Sequence, residues 1–110
     1  MQPRSILAAN TVNAQVHQNV PARLKGWHIT NRAAYEIFVR FYDKSSAAPL
    51  TSDTPVLRLA IPAATVSFVE LEEPLQFANG LSFRMTKAIA DNDATVLAAN
   101  DAVVNLFVVY

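Results

Sequence analysis

Two alternating segments, Tyr35-Glu36-Ile37-Phe38-Val39-Arg40-Phe41-Tyr42-Asp43 and Pro55-Val56-Leu57-Arg58-Leu59-Ala60-Ile61, flank a polar connector and constrain the fold more than any other feature of the chain. Tyr35, Ile37, Val39 and Phe41 recur at period two, as do Leu57, Leu59 and Ile61, so each segment turns one side to a core and reads as a β-strand. Further strands are expected at Ser5–Val16, Arg23–Thr30, Thr65–Leu71, Leu81–Ile89 and Ala102–Tyr110, with a short piece at Gln76–Ala78. Turn-forming clusters separate them: Asn19-Val20-Pro21, Asn31-Arg32-Ala33, Lys44 to Thr54, Pro62-Ala63-Ala64, Asn79-Gly80 and Asp91-Asn92-Asp93.

Seven or eight short strands at this spacing predict an all-β fold, a two-sheet antiparallel β-sandwich of jelly-roll type. The rival is a short helix over Asp91–Ala102, where Ala94-Thr95-Val96-Leu97-Ala98-Ala99 could follow an aspartate cap. Tyr35, Ile37, Val39, Phe41, Leu57, Leu59, Ile61, Phe83 and Met85 are the expected core. With only two glycines for all the turns, Asn and Asp are expected to carry positive-φ positions, and Asn79-Gly80 is the best candidate for a tight hairpin turn.

A chain of 110 residues is most simply one domain. Residues 21–110 are assigned to the sandwich, and residues 1–20 to an N-terminal arm or a first strand. Hydrophobic residues make up 52% of the chain and charged ones only 16%, which points to apolar surface that meets a partner. Nine basic and nine acidic residues cancel, so nothing favours nucleic acid or an anionic membrane. No secretory leader and no membrane span is read. Without cysteine there are neither disulfides nor thiolate ligands.

Chemistry is faint. His17 and His28 sit apart with no carboxylate at ligand spacing, and Asp91-Asn92-Asp93 lacks the glycine and glutamate of a calcium loop. No nucleophile elbow, His-Glu-x-x-His pair or glycine-rich phosphate loop occurs, so neither catalytic residues nor a cofactor or metal site is assigned, and the chain is not read as an enzyme. Glu70-Leu71-Glu72-Glu73 reads as a solvated strand edge that discourages sheet pairing. Trp27 is a core residue by default; with Tyr35 and Tyr42 it could form a sugar-binding platform if those rings faced outward. The last segment, Ala102 to Tyr110, is apolar on both faces. It is either a central strand or one whose outer side is covered by a neighbouring subunit. Together with Ile6 and Leu7 of the N-terminal segment, its Val104, Leu106, Val108 and Tyr110 form the candidate assembly interface.

Val39-Arg40-Phe41-Tyr42-Asp43-Lys44, Ala47-Ala48-Pro49, Asp53-Thr54-Pro55-Val56-Leu57-Arg58-Leu59-Ala60-Ile61-Pro62-Ala63, Phe77-Ala78-Asn79-Gly80-Leu81-Ser82-Phe83 and Ala90-Asp91-Asn92-Asp93 follow one another in an order that resembles small virion-associated proteins of tailed bacteriophages. The likeness covers Trp27 to Tyr110. Ala63-Ala64 and Lys87-Ala88 stand where the glycine-rich form of that group has glycines. The resemblance implies an all-β structural subunit located in the virion after synthesis in the host bacterial cytoplasm. Its preferred role is capsid decoration or cementing, with a tail or tail-fibre component as the alternative. The implied partners are the major capsid protein or other virion subunits, with homo-oligomerisation, as a trimer, expected. A host-surface carbohydrate-binding module is the rival from another class. No active-site residue comes with the likeness.

Overall fold

The computed structural model describes residues 4–109, which form eight strands and no helix: β1 (Arg4–Leu7), β2 (Gln15–Gln18), β3 (Ala22–Asn31), β4 (Ile37–Asp43), β5 (Leu57–Ile61), β6 (Val66–Phe77), β7 (Leu81–Thr86) and β8 (Ala102–Val109). They make two antiparallel sheets of four strands, in the orders β1-β8-β3-β6 and β2-β7-β4-β5. We call these sheet A and sheet B. Every connection except that between β4 and β5 carries the chain from one sheet to the other.

The period-two faces meet between the sheets. Ile37, Val39 and Phe41 of β4, Phe83 and Met85 of β7 and Ile61 of β5 are buried, as are Leu24, Trp27 and Ile29 of β3 and Val104, Leu106 and Val108 of β8. Phe41 and Trp27 join the two sheets directly, with ring centroids 5.8 Å apart. Leu57 and Leu59 are only half-buried because β5 lies at a sheet edge. Tyr35 precedes β4 rather than belonging to it; its half-buried ring sends its hydroxyl to the Asp101 carboxylate and receives the Ala98 amide at 3.2 Å.

Several expected boundaries are corrected. The single strand expected over Ser5–Val16 is two strands in different sheets, β1 beside β8 and β2 beside β7. Asn13 makes the crossing between them: its backbone lies at φ 54°, and its side chain accepts from the Ala9 amide at 2.9 Å while donating to the Thr11 carbonyl at 3.0 Å. Within residues 1–20, β1 pairs with β8 and β2 with β7 of the same chain. The piece expected at Gln76–Ala78 is the end of the long β6, whose register against β3 shifts between Leu24 and Gly26. Pro74 is tolerated there because an edge strand leaves its missing donor unneeded. Lys25 stabilises the irregularity by donating Nζ to the carbonyls of Leu71 at 2.6 Å and Glu72 at 3.3 Å. Leu81–Ile89 shortens to β7, ending at Thr86.

Asn79-Gly80 is a crossing between sheets, not a hairpin. Its amides donate to Asp43 Oδ1, and a side chain at residue 80 would lie 2.6 Å from the Gln18 carbonyl oxygen, which accounts for the glycine. Positive φ falls on Asn13, Asn100 and, less expectedly, Ala64 at 54°. An L-residue with a Cβ is held there against a steric penalty of about 1–2 kcal/mol. Ala64→Gly is therefore expected to raise stability by about 0.5–1 kcal/mol after the extra chain entropy of glycine is subtracted, read as a higher denaturant midpoint. A lower midpoint would show that the turn carries no strain.

Candidate assembly surface

Inward residues alternate with outward ones, so burial of Val104, Leu106 and Val108 sends Val103, Asn105, Phe107 and Val109 to the outer side of sheet A. Register aligns Phe68 of β6 with His28 of β3 and His28 with Asn105 of β8, while Val66, Thr30 and Val103 form the next row. Three apolar side chains of this sheet are largely in solvent: Phe68 at 62% exposure, Leu7 at 56% and Val66 at 49%. The Phe68 ring meets His28 edge-on at 5.4 Å and leans on Phe107 at 6.4 Å. Between Phe68, Phe107, Lys25 and Glu70 runs a groove of about 230 Å³.

Gly26 pairs with Glu70 on one side and Phe107 on the other. A Cβ on residue 26 would lie 2.2 Å from the Val69 carbonyl oxygen, so the strands approach closely here only because the side chain is missing.

The six residues expected at the interface are therefore not on one surface. Val104, Leu106 and Val108 point into the sandwich and have no exposed side to offer, which corrects their assignment. Ile6 is half-buried against the same core, and Leu7 alone among the described members is exposed; Tyr110 lies outside the described residues. β8 is a central strand of its own sheet, between β1 and β3. Trp27 is also corrected as a ligand aromatic, since it is buried against Phe41 and donates Nε1 to Ser67 Oγ at 3.1 Å. Tyr42 is buried as well, so the outward aromatic platform does not form.

The outer side of sheet B is closed by a structure that alternation alone did not suggest. Register sets Arg58, Arg40 and Arg84 side by side across β5, β4 and β7. Arg40 and Arg84 are both about 1% exposed, beneath the segment that follows β7. Arg40 donates Nε to Asp91 Oδ1 at 3.2 Å, Nη1 to Thr86 Oγ1 at 2.7 Å, and Nη2 to the carbonyls of Ala88, Ile89 and Ala90 at 2.8–2.9 Å. Arg84 donates to Tyr42 Oη at 3.3 Å and to the carbonyls of Asp91 and Asp93. Arg58 completes the row with a two-pronged contact to Asp91, at 2.9 and 2.6 Å.

These bonds explain why no helix forms over Asp91–Ala102. Carbonyls that would accept helical amides are turned down to guanidinium groups, and the Thr95 amide goes to the Asp93 carboxylate. Leu97 is then fixed in the core, its amide donating to the Thr11 carbonyl at 3.1 Å.

The Arg58 guanidinium, followed by that of Arg40, holds the Asp91 carboxyl down at about 2 from the usual 3.8. Asp93 is also lowered, chiefly by the Thr95 hydroxyl. A depressed carboxyl stabilises the fold above its unfolded value, near pH 4, and loses that contribution as pH falls through about 2. The melting temperature is accordingly expected to drop between pH 4 and 2, and the drop to be shallower in Asp91→Asn. Parallel curves for the two proteins would remove Asp91 from the acid response.

Among the described residues no three His, Cys, Asp or Glu side chains converge as a metal site would require, and no helix is long and apolar enough to cross a membrane. Comparison with protein-family models, curated proteins and solved structures gave no match.

Proposed function

We propose that the chain is a structural subunit of a tailed-bacteriophage particle, decorating the capsid shell and docking on the major capsid protein through the outer face of sheet A. The strand orders β1-β8-β3-β6 and β2-β7-β4-β5 are read as a jelly roll, the eight-stranded arrangement used by viral capsid domains and also by lectins. Architecture alone does not choose between those uses. The observation that carries the assembly role is the exposed apolar surface on the outer face of sheet A: Val66 and Phe68 on β6, Phe68 lining the groove with Phe107, and Leu7 on β1 at the opposite edge. The sequence resemblance supplies the phage context.

Mechanistically, each copy buries a modest apolar patch on the shell. Many copies on a lattice convert weak single contacts into overall shell stability. A tail or fibre location uses the same surface chemistry and differs only in where the protein sits on the particle. Carbohydrate binding finds no outward tryptophan to rest on, since Trp27 is buried.

Co-sedimentation with particles lacking the protein tests the role, with electron microscopy to place it on head or tail. Phe68→Asp is expected to weaken attachment by about thirtyfold or more while leaving the isolated protein folded, as loss of a central aromatic anchor does. Undiminished attachment of that variant would reject the docking face, and failure of the unmodified protein to bind any particle would reject the virion role.

A further inference from the structure

Four strands lie at the sheet edges: β1 and β6 in sheet A, β2 and β5 in sheet B. Three of them are short or blunted. β6 carries Glu70, Glu72, Glu73 and Pro74 with a register shift, β2 is four residues long and shifts register between Val16 and Gln18, and β1 spans four described residues. β5, five residues long, has neither an acidic run nor a register shift. It pairs with β4 in unbroken register from Leu57 opposite Phe41 to Ile61 opposite Ile37, without proline, glycine or bulge. Among the described residues, no group outside β4 hydrogen-bonds the backbone of Leu57 to Ala60.

Its one charge is already spoken for. Arg58 is held in its fork with Asp91, so it does not guard the edge as a free lysine would. Alongside runs a second groove, of about 190 Å³, lined by Phe38, Arg40, Arg58, Leu59, Ala60 and Ile89; Ile89 overhangs it at 73% exposure.

We infer that β5 is a self-pairing edge: a second copy of this chain lays its own β5 antiparallel about a two-fold axis, joining two sheets B into one. The sequence Leu57-Arg58-Leu59-Ala60-Ile61 is complementary to itself in that arrangement. Centred on Leu59, it sets Leu57 opposite Ile61 and each long Arg58 opposite a small Ala60. No like charges stand directly opposite, and both Arg58–Asp91 pairs stay intact. Parallel in-register pairing would instead put Arg58 beside Arg58. The contact is isologous and closes at two copies, because each β5 edge is used up by the other.

Sedimentation of the full chain over a range of concentrations tests this, with two opposite substitutions at one exposed position. Ala60→Arg places a cation opposite Arg58 of the second copy at two symmetry-related points and is expected to weaken the dimer about tenfold; Ala60→Glu places a carboxylate there and is expected to tighten it about tenfold. Thermal melts confirm that both variants fold. A concentration-dependent dimer that responds in opposite directions to the two changes establishes the pairing. Four results overturn it: a monomer up to about 1 mM, a trimer, equal dimer constants in both variants, or a dimer that Phe68→Asp abolishes while the Ala60 variants leave it alone.

Discussion

Truncating Phe41 to alanine is expected to destabilise the fold by about 3–5 kcal/mol, measured by denaturant unfolding. Phe41 is fully buried, sits between Phe83 and Leu57 across its sheet, and meets Trp27 of the opposing sheet. Its removal opens a void that neither sheet can close, because both are held by their ladders to strands on each side. The loss therefore combines lost transfer free energy with a residual cavity. A change below about 1 kcal/mol would mean that the two sheets are not packed through this ring.

Arg40→Met is expected to have an effect of similar size, about 3–5 kcal/mol, for a different reason. Methionine keeps the unbranched apolar stem but takes away every donor, so the Ile89 carbonyl loses its guanidinium partner while those of Ala88 and Ala90 keep only the Thr86 hydroxyl and the Asp93 amide. Arg58 still holds Asp91, so the carboxylate is not orphaned. The segment between Lys87 and Thr95 should consequently lift from sheet B. Limited proteolysis is expected to cut the variant there before the rest of the domain unfolds. If the variant melts like the unmodified protein and resists cleavage, the guanidinium is not what fastens the segment.

These two residues mark what the sequence does and does not reveal. Phe41 belongs to a period-two face opposite polar neighbours, so its direction could be read. Arg40 belongs to the complementary face, which alternation assigns to solvent; nothing in β4 alone says that a distant segment covers it. All six residues of β7 are buried, and the arginines at matching register in three strands were the one available sign of a second polar layer. That sign needs the pairing register, which one sequence does not contain.

β8 hides which of its faces is inward for the opposite reason. Val103, Val104, Leu106, Phe107, Val108 and Val109 make both faces apolar, so the period cannot say which face is inside, and a shift of one residue exchanges core for surface. The interface assigned to Val104, Leu106 and Val108 was the inner face; the outward row begins one residue earlier, at Val103. Trp27 was legible as core. Ser5–Val16 was not legible as two strands, because a change of sheet at Asn13 depends on backbone geometry and local side-chain bonds rather than on hydrophobic spacing.

The pairing of β1 with β8 brings together strands from opposite ends of the described chain, and β8 has β3 as its other neighbour. During synthesis, β1 and β3 emerge long before the strand that must lie between them. Sheet A is held open until β8 arrives, with Trp27, Ile29 and Leu24 on a strand still missing one partner. Such non-local closure places folding in the slower, millisecond-to-second class of all-β domains, and it makes the nascent chain, rather than the finished one, the species most exposed to aggregation.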